Sequence, residues 1–281
     1  MKPRILAGLV GRGIQASRTP ALHEFEGDAQ ALRYLYRLID ADQLGVDDSA
    51  LPQLLDAAQR TGFTGLNVTY PFKQAVLPLL DELSTEARSI GAVNTVVLKD
   101  GKRVGHNTDC LGFAEGFRRG LADAPRRRVV QLGAGGAGSA VAHALLGEGV
   151  EQLILFEVDA LRAQALADNL NAHFGAGRAR VGLDIAHEVA AADGLVNTTP
   201  VGMDKLPGTP LPADLLHAGL WVAEIIYFPL QTELLRHARA LGCRTLDGSA
   251  MAVFQAVKAF ELFSGRVADA ARMQAHFASL G

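Results

Sequence analysis

Two stretches of this sequence combine residue types and spacings that could move a proton and hydrogen-bond a polar ligand. Asn67-Val68-Thr69-Tyr70-Pro71-Phe72-Lys73 places an amide, a hydroxyl and an amine at the end of an apolar run. Residues two apart in a strand point the same way, so Asn67 and Thr69 share a face. Pro71 stops the strand and can open a helix, which puts Lys73 in the first helical turn. A lysine there opposes the helix dipole, so helix stability does not account for it. The second stretch runs from Gly91-Ala92-Val93-Asn94-Thr95 to His106-Asn107-Thr108-Asp109. Free lysine holds its proton with a pKa of ~10.4, so proton transfer by Lys73 calls for a desolvated site, which favours its neutral form, whereas a nearby carboxylate such as Asp109 would favour its charged form. Each residue alone has an ordinary alternative: a surface lysine, an N-cap aspartate, a turn asparagine.

A third constellation concerns phosphate. The apolar run Val129-Val130-Gln131-Leu132 leads into Gly133-Ala134-Gly135-Gly136-Ala137-Gly138 and then a helical pattern. In that context Gly133 permits a tight turn, Gly135 lets backbone approach a pyrophosphate, and Gly138 lets helix and strand pack closely. Helix N–H groups and the positive dipole end then hold the phosphates. The ordinary alternative is a turn of small residues without a ligand. A second apolar run, Leu153–Phe156, is followed by Glu157-Val158-Asp159. An acidic side chain there bonds the ribose hydroxyls of NAD and repels the 2′-phosphate of NADP. The nearest arginine is Arg162, so NAD is the expected cofactor. The alternative is a solvated Glu157, with Asp159 capping the next helix.

The elements that position these groups alternate along the chain. Strand-like runs are Ile5–Val10, Leu66–Thr69, Val93–Leu98, Val129–Leu132, Leu153–Phe156, Leu195–Asn197 and Leu220–Glu224. Amphipathic, helix-like stretches cover 29–39, 51–60, 110–121, 137–146 and 161–174. Continuous apolar strands alternating with helices predict an α/β fold with parallel sheets. A seam near 108–128, with a linker at 122–128, divides the chain. Residues 1–110 are expected as one α/β domain and 111–246 as a nucleotide-binding domain. The helical segment 247–281 is expected to return to the first domain.

Composition bounds the rest. At roughly 100–200 residues per domain, 281 residues suit two domains. Hydrophobic residues make up 49% and the formal net charge is −3, which gives no electrostatic case for nucleic acid or an anionic membrane. Arg126-Arg127-Arg128 is expected as a solvated loop end. Cys110 and Cys243 form no CxxC pair, which fits a reduced, cytoplasmic protein. The start from Met1 to Gly11 imitates a signal peptide but lacks a small-residue cleavage site, and a buried strand is expected instead. No run reaches the ~18 apolar residues of a membrane helix. There is no HExxH, no cysteine/histidine cluster, no GxSxG elbow and no P-loop, so no metal is expected. His106 lies near Asp109 in sequence, and a structural role is expected for it.

Taken in order, these motifs are similar to those of shikimate dehydrogenases over nearly the whole chain. They are Asn67-x-Thr69-x-Pro71-x-Lys73, Gly91–Thr95, Gly105–Asp109, Gly133–Gly136, Asn197-Thr198-Thr199-Pro200, Tyr227-x-Pro229-x-x-Thr232, and Asp247-Gly248 followed by Gln255. Gly13-Ile14-x-x-Ser17-Arg18-Thr19-Pro20 and Glu157 resemble the NAD-dependent quinate/shikimate branch. The resemblance implies an α/β substrate domain over 1–110 and a Rossmann-type NAD(P)-binding domain over 111–246 with a cleft between them. It implies reversible oxidation of a ring alcohol in shikimate or quinate, with Lys73 and Asp109 as the catalytic pair sharing the substrate hydroxyl. It implies a substrate shell of Ser17, Thr19, Asn67, Thr69, Asn94, Tyr227 and Gln255, with Ser17 and Thr19 at the carboxylate. It implies cofactor contacts from Gly133, Ala134, Gly135, Gly136, Ala137, Glu157, Asn197, Thr198, Thr199, Pro200, Gly248 and Met251.

Three positions depart from the biosynthetic enzymes of that family. Thr19 replaces a serine, Glu157-Val158-Asp159 replaces a basic stretch, and Glu224 stands where aspartate is expected. The first leaves shikimate against quinate open and the second argues against NADP; biosynthesis of aromatic amino acids and quinate catabolism both stay open. NAD use favours the catabolic direction. Two other readings stand beside this one: a dehydrogenase for an aminoshikimate-like or other cyclic polyol acid, and a metabolite-sensing pseudoenzyme. Either a monomer or a homodimer is compatible with the sequence.

Overall fold

The computed structural model describes residues 3–280; Met1 and Lys2, the first residues of the signal-peptide-like start, lie outside the described residues. The chain divides into two compact units, residues 1–108 with 253–281, and residues 109–252.

The first unit opens with β1 (Arg4–Gly11), α1 (Thr19–Ala29), β2 (Arg33–Asp40), α2 (Ala41–Leu44), α3 (Leu51–Arg60) and β3 (Gly65–Val68). It continues with α4 (Phe72–Ala75), β4 (Glu82–Leu83), α5 (Thr85–Ile90), β5 (Thr95–Lys99) and β6 (Lys102–His106). Its sheet runs β2-β1-β3-β5-β6-β4. Two sequence expectations change here. Residues 29–39, expected as an amphipathic helix, are the end of α1 followed by strand β2. Along β2, Tyr34 and Tyr36 are buried while Arg33, Leu35 and Arg37 are exposed, so the period is two rather than 3.6. The sheet is also mixed rather than parallel, because β5 runs antiparallel to both β3 and β6. Asp100 at φ +52 and Gly101 at φ +78 turn β5 directly into β6. That Asp-Gly pair suits a two-residue hairpin, which only antiparallel strands can use.

Helix α6 (Thr108–Gly120) leads into the second unit. There follow β7 (Arg128–Leu132), α7 (Gly136–Gly147), β8 (Gln152–Phe156), α8 (Ala160–Phe174), β9 (Ala179–Val181), α9 (Ile185–Ala190), β10 (Gly194–Asn197), β11 (Trp221–Glu224), α10 (Glu233–Ala240) and β12 (Arg244–Leu246). The sheet order is β12-β11-β10-β7-β8-β9, and every pairing is parallel. Read from β9, this is the doubly wound order of a Rossmann fold, with its switch point between β7 and β10. Alternate residues of the strands feed two cores. Val129, Leu153, Leu155 and Val196 pack with Phe113 and Leu145 on one face, and Val130, Ile154, Leu195 and Val222 pack with Leu234 and Leu235 on the other. Burial on both faces is why these strands read as unbroken apolar runs.

Helices α11 (Ser249–Ser264) and α12 (Ala270–Ser279) complete the chain. In the first unit α12 is tied to α1 by Arg272, whose guanidinium donates at 2.7 and 2.8 Å to the fully buried Glu26. Burial alone would raise the Glu26 carboxyl, but Arg272, the Asp269 N–H and Gln30 outweigh it and hold it below the usual range. The triple arginine is not simply a solvated loop end. Arg127 is, but the Arg126 guanidinium lies 5.0 Å from the Phe117 ring centre and donates to the carbonyls of Ala122 and Glu148. No helix among the described residues is long and apolar enough to cross a membrane.

Candidate active site

In the first unit the parallel strands β1, β2 and β3 end on one edge, where open α/β sheets bind ligands. Asp40 closes β2 and organises the loop that leaves β1. Its carboxylate accepts from the backbone N–H of Gly13 at 3.0 Å and Ile14 at 3.1 Å, and from Gln15 Nε2 at 3.0 Å. Burial pushes this carboxyl up, but these donors outweigh it and hold it below the usual range. Arg12 braces the same loop, reaching Asp42 and Asp48 at 2.6 Å each. The loop presents Ser17 and Thr19, both half-buried. Ser17 Oγ donates to Thr19 Oγ1 at 3.1 Å, so the two hydroxyls form one polar patch at the start of α1.

Strand β3 delivers the next group. Thr69, half-buried, donates its N–H to Val10 across the strand ends at 3.0 Å. Pro71 caps α4, which places half-buried Lys73 in its first turn, as the spacing predicts. The Lys73 carbonyl accepts from Val93 N at 2.8 Å and joins this turn to the 91–94 segment. Asn67 and Asn94 face inward. Asn67 Oδ1 accepts from the Tyr36 hydroxyl at 2.7 Å, and its Nδ2 donates to Thr95 Oγ1 at 2.9 Å. Asn94 Oδ1 accepts from Thr108 N at 2.7 Å and its Nδ2 donates to Thr108 Oγ1 at 2.9 Å. Both amides therefore shape the frame, and Asn94 seats the residue immediately before Asp109. Asp109 is buried in the first turn of α6, where the helix dipole favours a negative charge. His106 ends β6, half-buried; burial lowers its pKa and Glu86 partly offsets that. Gln255 is half-buried on α11.

The second unit carries the glycine turn at its switch point. Gly133 has φ +96, and a Cβ there would sit 2.8 Å from Thr198 Oγ1. A Cβ on Gly138 would sit 2.6 Å from the Gly133 carbonyl oxygen. Both positions need glycine for the protein's own packing. Gly135 is different. It caps α7 at φ −73, and a Cβ there would meet nothing within 4 Å. The protein leaves open space at the one glycine meant to face a pyrophosphate, and α7 has no side-chain N-cap bond competing for its N–H groups. Gly136 and Ala137 are half-buried in that first turn. These residues fit a dinucleotide.

Glu157 closes β8 and turns back onto the glycine turn. Its Oε2 accepts from Ala134 N at 2.9 Å and its Oε1 from Val158 N at 2.8 Å. The Ala134 N–H is thus engaged by Glu157. Asp159 caps α8, as its ordinary reading has it. Arg162 lies 3.9 Å from Glu157 and 3.6 Å from Asp159.

The turn after β10 is cross-linked internally. Thr198 Oγ1 donates to the Leu132 carbonyl at 2.7 Å, and Asn197, fully buried, accepts from Thr199 Oγ1 at 2.7 Å. Thr199 is half-buried and Pro200 exposed. Tyr227 is half-buried in the turn after β11. Gly248 abuts that turn, since a Cβ there would lie 2.4 Å from the Ile226 carbonyl oxygen. Met251 packs into the core with Phe113 rather than toward an open surface. Among the described residues, no group of three or more His, Cys, Asp or Glu is arranged to hold a metal ion.

Sequence reasoning did not single out Tyr36 or Asp40, which hold Asn67 and the Ser17 loop. Reading 29–39 as a helix hid both. The available signal was the alternation of Tyr34 and Tyr36 with arginines, ending on an aspartate.

Comparison with known proteins agrees with this arrangement. The family model described as shikimate dehydrogenase substrate binding domain matches residues 9–96. The chain is 58% identical over 277 residues to a shikimate dehydrogenase (NADP(+)) of Streptomyces avermitilis, covering 98% of this chain and 95% of that one. The chain belongs to the shikimate dehydrogenase family. It is 53% identical to a quinate/shikimate dehydrogenase (NAD(+)) of Corynebacterium efficiens, covering 98% of each. The quinate dehydrogenase of Corynebacterium glutamicum, solved in complex with NAD, superposes with a TM-score of 0.92 at 50% identity, covering 99% of this chain and 100% of that one. This chain is accordingly an oxidoreductase that acts on CH–OH groups with a nicotinamide dinucleotide.

Proposed function

We propose that this enzyme oxidises a ring secondary alcohol of shikimate or quinate to the corresponding 3-dehydro ketone, reversibly, with NAD preferred over NADP. The observation that carries the reading is the grouping of the Ser17–Thr19 hydroxyl pair, Thr69 and Lys73 at the carboxyl ends of β1 and β3 in a member of this family. The unit of residues 1–108 and 253–281 is assigned to the polyol acid and residues 109–252 to the dinucleotide. Cys110 and Cys243, neither of them in a disulfide, suit a cytoplasmic enzyme.

Each residue has a task set by its chemistry. Ser17 and Thr19 donate to the substrate carboxylate, and Thr69, Tyr227 and Gln255 meet its hydroxyls. Each such pairing matters because an unpaired buried hydroxyl costs ~1–3 kcal/mol. Lys73 and Asp109 share the hydroxyl at the reacting carbon and take its proton, a role worth roughly 10²–10⁴-fold in rate. Asn67 and Asn94 hold the backbone that carries them. Bound at the glycine turn, NAD supplies the hydride acceptor. Glu157 favours NAD: its carboxylate, held against the Ala134 N–H, has acceptor capacity left for ribose hydroxyls and repels a 2′-phosphate.

Initial rates of nicotinamide reduction with shikimate and with quinate, each with NAD and NADP, test the proposal. The highest kcat/KM is expected with NAD. Faster turnover with NADP would overturn the cofactor assignment. No turnover in any combination, from folded protein that binds NAD, would move the substrate to an amino or other cyclic analogue.

A further inference from the structure

Asn197 and Glu224 end adjacent parallel strands and are register partners across β10 and β11. Glu224 is 1% exposed, yet neither core needs a carboxylate there. Asn197 Nδ2 lies 3.1 and 3.0 Å from its two oxygens. The backbone N–H groups of Ile225 at 3.0 Å and Ile226 at 3.2 Å donate to Oε1, and Thr232 Oγ1 donates to Oε2 at 3.3 Å. Every partner belongs to one of two turns. The first is 197–201, where Asn197 Oδ1 holds Thr199 and its Nδ2 also reaches the Val201 carbonyl at 3.0 Å. The neighbouring Thr198 hydroxyl continues the chain of bonds to Gly133, 3.0 Å away. The second turn is 225–232, which carries Tyr227 and whose Ile225 and Ile226 carbonyls press on Gly248.

We propose that Glu224 is a positioning residue for the dehydrogenase. Its carboxylate fixes the 197–201 and 225–232 turns against each other, and through them the glycine turn and Tyr227. The inference rests on the functional reading above, in which those turns serve cofactor and substrate. Burial works against the charged form, raising the carboxyl to about 7 against the pull of its donors, so the group is retained at a cost to folding. A role in setting geometry accounts for that cost.

The test uses the full-length enzyme. Glu224→Gln keeps the shape and an acceptor at the Oε1 position for the Ile225 and Ile226 N–H groups, but sets an NH₂ at the Oε2 position against Asn197 Nδ2. Leu170→Ala, fully buried in the later part of α8, serves as a destabilised control away from both turns. With both proteins folded at the assay temperature, Glu224→Gln is expected to weaken NAD affinity and lower kcat by roughly tenfold to a hundredfold. Leu170→Ala should keep both within about twofold despite a comparable loss in Tm. Hydrogen exchange at the Thr199 amide, which the Asn197 side chain holds at 3.0 Å, should lose protection in Glu224→Gln only.

Glu224→Gln with NAD affinity, kcat and amide protection all within about twofold of wild type would overturn the proposal. So would a control that loses kcat in proportion to Tm, since that marks a merely structural effect. If Glu224→Gln does not fold, Glu224→Asp takes its place, keeping the charge one methylene short; unaltered kinetics there would equally overturn it. A wild-type enzyme that turns over neither acid would instead defeat the functional reading, and NAD affinity with amide protection would still decide the role of Glu224.

Discussion

The Tyr36 hydroxyl donates a 2.7 Å hydrogen bond to Oδ1 of Asn67, so an edge strand orients an amide two strands away, past β1. Ala7 pairs with Tyr36 in the register, and its small side chain leaves the phenol free to cross. Removing the hydroxyl strands a buried acceptor, which costs ~1–3 kcal/mol. Tyr36→Phe should therefore lower Tm and raise KM for the polyol acid, with KM for NAD unchanged. Thermal melts and initial rates check it; an unaltered Tm and KM for the acid would show that Asn67 needs no such anchor.

The glycine turn separates folding from binding at neighbouring positions. Gly135→Ala adds a methyl into open space at ordinary φ, so Tm should hold, while NAD affinity falls as the methyl meets the pyrophosphate. Gly133→Ala should instead lose stability by ~1–2 kcal/mol or more, because φ +96 and the Thr198 contact both oppose a side chain. Melting curves and NAD titrations of the two variants distinguish the cases. A Gly135→Ala enzyme with wild-type NAD affinity would remove the phosphate from this turn.

His23 makes stability depend on acid. It is fully buried, bonds Tyr34 through Nδ1 at 2.9 Å, and burial lowers its pKa from 6.5 to about 3. Between those values the unfolded chain binds a proton that the folded one does not. Its contribution is whole above pH 6.5 and is lost as pH falls toward 3, by ~1.4 kcal/mol per unit. His23→Phe should flatten that slope in urea midpoints measured at pH 7.5 and 5. A variant as acid-sensitive as wild type would assign the slope to other groups.

Much of the second unit was legible because its strands are buried on both faces, which leaves unbroken apolar runs, and because Gly133–Gly138 opens α7 where the spacing puts it. The first unit was harder. Edge strand β2 exposes Leu35 between buried tyrosines, which imitates an amphipathic helix over one window. The Asp100-Gly101 pair signals an antiparallel hairpin, but its second strand, Lys102–His106, is too polar to stand out as an apolar run. Candidate residues could be named from their types, but not what their side chains face. Asn67, Asn94 and Asn197 are turned inward by bonds to Tyr36, Thr108 and Glu224, and those pairings arise only when distant strands come into register.

The central claim is that Lys73 handles the substrate proton. The most direct test compares kcat and substrate Kd of Lys73→Ala with wild type, using NAD and whichever acid turns over faster. A fall in kcat of roughly 10²–10⁴-fold with Kd changed only a few-fold is the expected result. A kcat close to wild type would contradict the assignment and return Lys73 to an ordinary surface lysine.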